Sequence, residues 1–332
     1  MTDAVLVEVT RGDWVESTHA GAAVVVDTAG RVVFGLGDYE APVFPRSAVK
    51  ALLALPLVET GAADRLGLTD AELALACSSH SGQLEHTETA ASMLRKAGRE
   101  PECLECGVQW PKYEPSAQAL VRQGLLPTAL NNNCSGKHSG FICLACDSGV
   151  DPTGYIRPDH KTMQTVTAAL AEVSGSKLDE RNRATDGCSI PTYAIALRAQ
   201  ALAFARFGTG AGLSADRSRA AARLRRAVAA HPFMVGGTDR FDTALMEALG
   251  ARVFSKTGAE GVFCVALPEL GLGIAVKCRD GAGRGAEVAT AALVDRFLKP
   301  ENAKLHALMR PKLVNWNGIE VGRLRPAIGL LG

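Results

Sequence analysis

Ser47-Ala48-Val49-Lys50 is the first stretch of this chain that could do chemistry. Residues three apart on a helix share a face. Ser47 follows Pro45-Arg46, which puts it in a first helical turn with the lysine amine one turn on. A serine needs a base to become nucleophilic, and a desolvated lysine can be that base. Unpaired backbone N–H groups at the helix start would face its oxyanion. Taken alone, the same four residues fit a helix cap and a surface lysine. Lys256-Thr257-Gly258 is a second candidate, at the end of a strand signal; by itself it reads as a turn. Cys77-Ser78-Ser79-His80-Ser81-Gly82 is a third, dense in small polar residues. Ser79 could pair with Lys256 as a second serine–lysine dyad. The plainer reading is a Ser-rich cap for the next helix. His80 or His86 as the base for a serine is a rival assignment.

Thiols and imidazoles suggest a metal. Cys134 and His138 are four apart at an expected helix start, with Lys137 between them, and Cys188 lies in the turn Thr185–Ser189. Spacing alone nominates Cys134, His138 and Cys188, a set suited to zinc. Against this, lone cysteines are more often buried apolar residues. The pairs Cys103/Cys106 and Cys143/Cys146 are much further apart than the roughly 15–20 residues of a zinc ribbon. Cys143 and Cys146 read as core; the other pair stays open. Gly281, Gly283 and Gly285 lack the Lys-Ser/Thr ending of a phosphate loop, so a helix entry is expected there.

These residues need elements to position them. Ala22–Val26, the turn Asp27–Gly30 and Arg31–Leu36 read as a β-hairpin, after a first strand signal at Val5–Val9. From Arg46 an Ala- and Leu-rich helix is expected to last until about Leu57. Roughly 60 to 250 reads as helices, with a capping-box pattern at Thr69-Asp70-Ala71-Glu72. Helical spacing recurs around 85–98, 114–123, 137–147, 158–173, 191–206, 214–230 and 239–249. Strand signals return at Ala251–Ser255, Val262–Leu267 and Leu272–Cys278, before an Ala-rich helix from about Gly285 to Leu298. In the tail, Leu305, Leu308 and Met309 could form one more helix. Hairpin-length turns at both ends imply a mainly antiparallel sheet. The expectation is a single α/β domain over residues 1–332, with a helical subregion at about 60–250.

Composition narrows the partners. The chain has 332 residues, is 47% apolar and carries a formal charge of +1. With no run of one sign, nothing favours nucleic acid or an anionic membrane. A small neutral or zwitterionic substrate fits better. Acidic residues interrupt every apolar run near the N-terminus, so no signal peptide is expected. No stretch approaches the ~18 apolar residues of a membrane span. A cytoplasmic location follows as an expectation, and nine cysteines, an odd number, then argue against a disulfide framework.

S-x-x-K followed by K-T-G is the order found in penicillin-binding proteins and class A β-lactamases. The S-D-N element of that set is missing, and Cys77–Gly82 stands in its place. The chain as a whole resembles the L-asparaginases of the Rhizobium etli type. The stretches that carry this are RSAVK at 46–50, CSSHSGQ at 77–83, NNNCSGKHSG at 131–140, DGCSIP at 186–191, HPFMVGGTDRFDT at 231–243, SKTG at 255–258 and GIAVKCRDG at 273–281. The resemblance implies a β-lactamase-like α/β sandwich, a homodimer and hydrolysis of L-asparagine to aspartate and ammonia. It carries over two dyads, Ser47 with Lys50 and Ser79 with Lys256, and leaves open which serine attacks. It replaces the ligand set from spacing with Cys134, Lys137 and Cys188, holding a Zn2+ that orients substrate and does not activate water. His138, Asp186 and Arg46 then become substrate-binding candidates. Two rivals stand beside this reading: another serine hydrolase of the same fold, and a non-catalytic metal- or amino-acid-binding protein.

Overall fold

The hairpin near the N-terminus shows how the sequence builds the sheet. Strands Trp14–Asp27 and Val32–Leu36 pair with Val25 opposite Phe34. In the turn, Asp27 Oδ1 accepts the Ala29 and Arg31 N–H groups at 3.0 and 2.9 Å. Gly30 supplies the left-handed residue, with φ +82°. The computed structural model describes residues 2–331. They form two compact units: residues 2–48, 194–212 and 244–331, and residues 49–193 with 213–243.

The first unit holds the sheet. Its strands run in the order Lys312–Val314, Glu320–Pro326, Ala4–Arg11, Trp14–Asp27, Leu272–Cys278, Val262–Leu267, Phe254–Thr257, with Val32–Leu36 also paired to Trp14–Asp27. Each of these pairings is antiparallel. Val262–Leu267 is buried at every position, so both faces of the sheet are covered. On one face the helix Leu197–Thr209 comes so close that a Cβ on Gly273 would stand 1.9 Å from Ala201 O. The next residue, Ile274, points to the other face and lies opposite Val25, itself opposite Phe34. There the Phe34 ring meets Phe297 edge-on at 6.3 Å and the Arg296 guanidinium at 4.6 Å, both from the helix Gly283–Leu298. This is the expected α/β arrangement, an antiparallel sheet between helices.

The second unit is mostly helical. Its capping box is formed as the sequence predicts: the Thr69 hydroxyl accepts from Glu72 N and the Glu72 carboxylate accepts from Thr69 N. Helices Leu84–Lys96, Glu114–Arg122, Ser135–Asp147, Lys161–Ser174 and Ala215–Ala230 lie within a few residues of their expected limits. Ser135–Asp147 packs against Asp70–Ala76 at short range, because a Cβ on Gly136 would be 2.4 Å from Leu75 O.

Three expectations are corrected. The helix from Arg46 to Leu57 is a 3-10 turn, Arg46–Val49, followed by short helices Lys50–Leu53 and Leu55–Glu59. Pro56 has no N–H to continue a long helix. The helix expected from 191 starts only at Leu197, since Pro191–Tyr193 is extended and pairs with Arg183–Thr185. The tail does hold a helix, Ala303–Met309, but also two strands that periodicity did not reveal. Among the described residues no helix is long and apolar enough to cross a membrane.

Candidate active site

Lys50 begins a buried helix in the second unit and is itself 1% exposed. Its ammonium donates to Ser79 Oγ at 2.9 Å and to Asn133 O at 3.3 Å. Burial lowers its pKa, with the nearby positive charge of Lys137 adding to the effect and the Cys134 and Cys188 thiols opposing it. Ser79 lies in Cys77–Gln83, a stretch buried throughout after the helix Asp70–Ala76. The cap of the following helix is Gln83, so the Ser-rich segment is not its N-cap.

The histidines of this segment are occupied. His80 Nε2–H bonds Ser135 Oγ at 2.9 Å, whose own proton goes to Leu130 O; His80 Nδ1 accepts from Gly82 N–H. His86 Nδ1 accepts from Gln83 N–H, and its Nε2 donates to Phe233 O. Burial pushes both imidazoles below their ordinary pKa. With both nitrogens engaged, neither histidine serves as base for Ser79.

In the first unit, Lys256 is fully buried on the strand Phe254–Thr257, and its ammonium donates to Thr257 O at 2.9 Å. The glycine of Lys256-Thr257-Gly258 has a steric cause. A Cβ on Gly258 would stand 2.6 Å from Pro45 O, two residues before Ser47. Within this unit the K-T-G strand end therefore lies close against Pro45, just ahead of Ser-x-x-Lys. Arg46 takes a left-handed conformation at φ +53°, uncommon for a residue with a side chain, and Ser47 stays half-exposed.

The sulfur cluster belongs to the second unit. Cys134 caps the helix Ser135–Asp147, and Lys137 Nζ donates to Cys188 Sγ at 2.9 Å. Cys188 Sγ is 3.8 Å from Asp186 Oδ2. A hydrogen bond from Cys188 holds Cys134 as thiolate, well below the ordinary thiol range despite burial, and the charges of Lys50 and Lys137 assist. Lys137 is kept charged by these thiols against the cost of its burial. Two sulfurs and one nitrogen thus converge in a buried place, a donor set that suits zinc. Lys137 must lose its proton to join it. Among the described residues no three His, Cys, Asp or Glu side chains gather around a possible ion, so the set depends on the lysine. The set nominated from spacing, Cys134, His138 and Cys188, is corrected because these three side chains do not gather; His138 Nδ1 meets Tyr155 OH at 2.6 Å, and its buried Nε2 has no partner.

All nine cysteines are free. Cys143 is buried in its helix as expected, and burial raises its pKa to about 12, whereas Cys146, read with it as core, is half-exposed and accepts from Arg99 Nε at 3.4 Å. Cys106 Sγ donates to Ala129 O, and Cys103 is half-exposed. Tyr155 and the Asn133 carbonyl were not foreseen; nothing in the sequence marks a backbone carbonyl or a lone tyrosine.

A family model described as L-asparaginase II matches residues 7–326. No curated protein matches the chain. Among solved structures, a native form of Mglu is similar, with 15% identity over 84% of this chain and a TM-score of 0.38. This chain spans only 64% of that one. A β-lactamase from Mycobacterium bovis is 13% identical over 82% of this chain and 93% of its own, with a TM-score of 0.40. The chain belongs to the L-asparaginase II family.

Proposed function

We propose that this protein hydrolyses L-asparagine to L-aspartate and ammonia through an acyl-enzyme in which Lys50 is the base. The observation that carries the reading is the buried Lys50 amine, 2.9 Å from Ser79 Oγ and pushed by burial toward its neutral form. Ser47 is the proposed nucleophile, because it is half-exposed whereas Ser79 is 3% exposed. Ser47 gives its proton to Lys50 as its oxygen bonds the side-chain amide carbon. The C–N bond then breaks, and ammonia leaves with the proton from Lys50. Water adds to the ester carbon, its proton passing to Lys50 and on to the Ser47 oxygen, and aspartate departs. Ser79 and Lys256 are assigned a proton relay that also disfavours a charged Lys50.

Cys134, Lys137 and Cys188 would hold Zn2+, which when bound would help to orient the substrate and would not activate water. His138, Asp186 and Arg46 are proposed to contact the substrate. A homodimer in the cytoplasm completes the proposal. The decisive assay is ammonia release from asparagine, run beside nitrocefin hydrolysis, with mass spectrometry of the trapped acyl peptide. Asparagine turnover with the adduct on Ser47 is expected. An adduct on Ser79 would move the nucleophile, nitrocefin turnover alone would favour a β-lactamase, and binding of asparagine without turnover would leave a binding protein.

A further inference from the structure

Two cations, Lys112 and Arg240, on segments fixed to the Ser79–Gln83 stretch have no part in the scheme above. The segment 231–243 is tied along Ser79–His86 by a run of hydrogen bonds. Ser79 N–H donates to Val235 O at 2.9 Å, and Ser81 Oγ to Gly236 O at 2.8 Å. Thr238 N–H donates to Gln83 Oε1 at 2.8 Å, and Gln83 Nε2 returns a bond to Thr238 Oγ1 at 3.0 Å. Gly237 makes this approach possible: its φ is +104°, and a Cβ there would stand 2.6 Å from Gln83 Oε1. Arg240 follows directly, packed so that its Cβ is 2.9 Å from where a Gly236 Cβ would be.

A second segment is fixed to the same stretch. Tyr113 N–H donates to Ser81 O at 3.1 Å, and Pro111 Cα would be 3.0 Å from a Cβ on Gly82. Lys112 lies between these two attachments. Strap and loop thus hold Arg240 and Lys112 against one short stretch that begins at Ser79. Lys112 is exposed and Arg240 half-buried, so both can be reached from water. Among the described residues neither makes a hydrogen bond or an ion pair. The protein packed around the Lys112 ammonium, and then the positive charges of Arg240 and Lys50, lower its pKa. Like charges held close together raise the local potential and favour an anion, although the Cys134 thiol opposes the effect at Lys112. A guanidinium presents a planar fork matched to a carboxylate.

We infer that Lys112 and Arg240 form the subsite for the substrate's α-carboxylate, which selects free amino-acid amides over asparagine whose carboxyl is blocked or in peptide linkage. The inference rests on the asparagine reading above. The test compares L-asparagine with L-asparaginamide, whose α-carboxylate is replaced by a neutral amide, in the wild type, Lys112→Met, Arg240→Gln, the double variant and Arg240→Lys. Each single loss is expected to lower kcat/KM for asparagine about 10- to 100-fold, mainly through KM, while asparaginamide changes by less than about twofold. Arg240→Lys should recover part of the loss, because the charge returns without the fork. Equal losses on both substrates, or a wild type that does not distinguish them, would overturn the subsite. Calorimetric titration with the same two compounds separates this from the hydrolysis itself. If turnover is absent yet binding favours asparagine and the double variant abolishes the preference, the subsite stands and the hydrolytic reading fails. Equal binding of both compounds by the wild type overturns the subsite.

Discussion

Lys50 Nζ donates to Ser79 Oγ at 2.9 Å, across 29 residues of sequence. The bond joins the lysine of the first motif to the serine of the second. Lys50 also donates to a carbonyl, Asn133 O, and the thiol cluster lies close enough to influence its charge. A buried amine with hydroxyl and carbonyl partners is suited to hold and return a proton, which is what an acyl-transfer base must do.

Lys50→Met should therefore separate chemistry from folding. The methionine fills a similar apolar volume, so the cost in stability is expected to stay under about 2 kcal/mol. Asparagine turnover should fall at least about a thousandfold, as for other members of a catalytic unit. Thermal melting beside ammonia release checks both halves. A variant that keeps its activity would remove Lys50 from the mechanism.

The sulfur cluster makes a prediction about metal. Purified protein should carry about one zinc ion per chain, and Cys134→Ser or Lys137→Met should carry essentially none. Chelation should lower the Tm of the wild type while leaving that of the metal-free variants in place. Elemental analysis by mass spectrometry reads the first outcome and a thermal melt the second.

Glu72 gives a pH dependence. It is 3% exposed and receives hydrogen bonds from Lys96 Nζ (2.6 Å), Thr69 N (2.7 Å) and Ser92 Oγ (2.8 Å). Burial opposes its charge, but these bonds outweigh it and hold the carboxyl below its ordinary pKa of 4.5. A depressed pKa stabilises the fold above the unfolded value, and the contribution disappears as pH falls through the folded value. Glu72→Gln should cost roughly 1–3 kcal/mol at pH 7 and progressively less below about pH 4.5. Urea melts at the two pH values measure the difference; an unchanged penalty in acid would contradict the sign.

Gly273→Ala tests the close approach of helix to sheet. The new methyl would meet Ala201 O at 1.9 Å, and backbone cannot swing aside as a side chain can. We expect a loss of more than about 3 kcal/mol, or failure to accumulate soluble protein. Gly283→Ala is the control, since a Cβ there meets nothing within 4 Å.

Much of this was legible in the sequence where the signal is local. The Thr69–Glu72 box and the Asp27–Gly30 turn declare themselves because their hydrogen bonds close within a few residues. Ser-x-x-Lys was legible as a motif, whereas the bond from Lys50 to Ser79 was not, since a pairing across the fold leaves no spacing. The metal set shows the same limit. Lys137 and His138 stand three and four residues after Cys134, and both spacings share a helix face, so periodicity cannot choose between them. The fold decides it: Lys137 Nζ reaches Cys188 Sγ, whereas His138 does not gather with the two cysteines. The tail strand Glu320–Pro326 alternates buried and exposed positions, but its polar half is Glu and Arg, and the pattern was too short to stand out.

The strap from 231–243 also bears on the order of events during synthesis. The unit that contains Lys50 and Ser79 is discontinuous in the chain, because residues 194–212 belong to the other unit. A nascent chain ending near Tyr193 already includes both residues but lacks Val235, whose carbonyl receives the Ser79 N–H, and Thr238, which grips Gln83. Such long-range closures carry the greater loop entropy and form late. In refolding, ellipticity should recover before enzymatic activity, and the delay between the two would time the docking of this one segment.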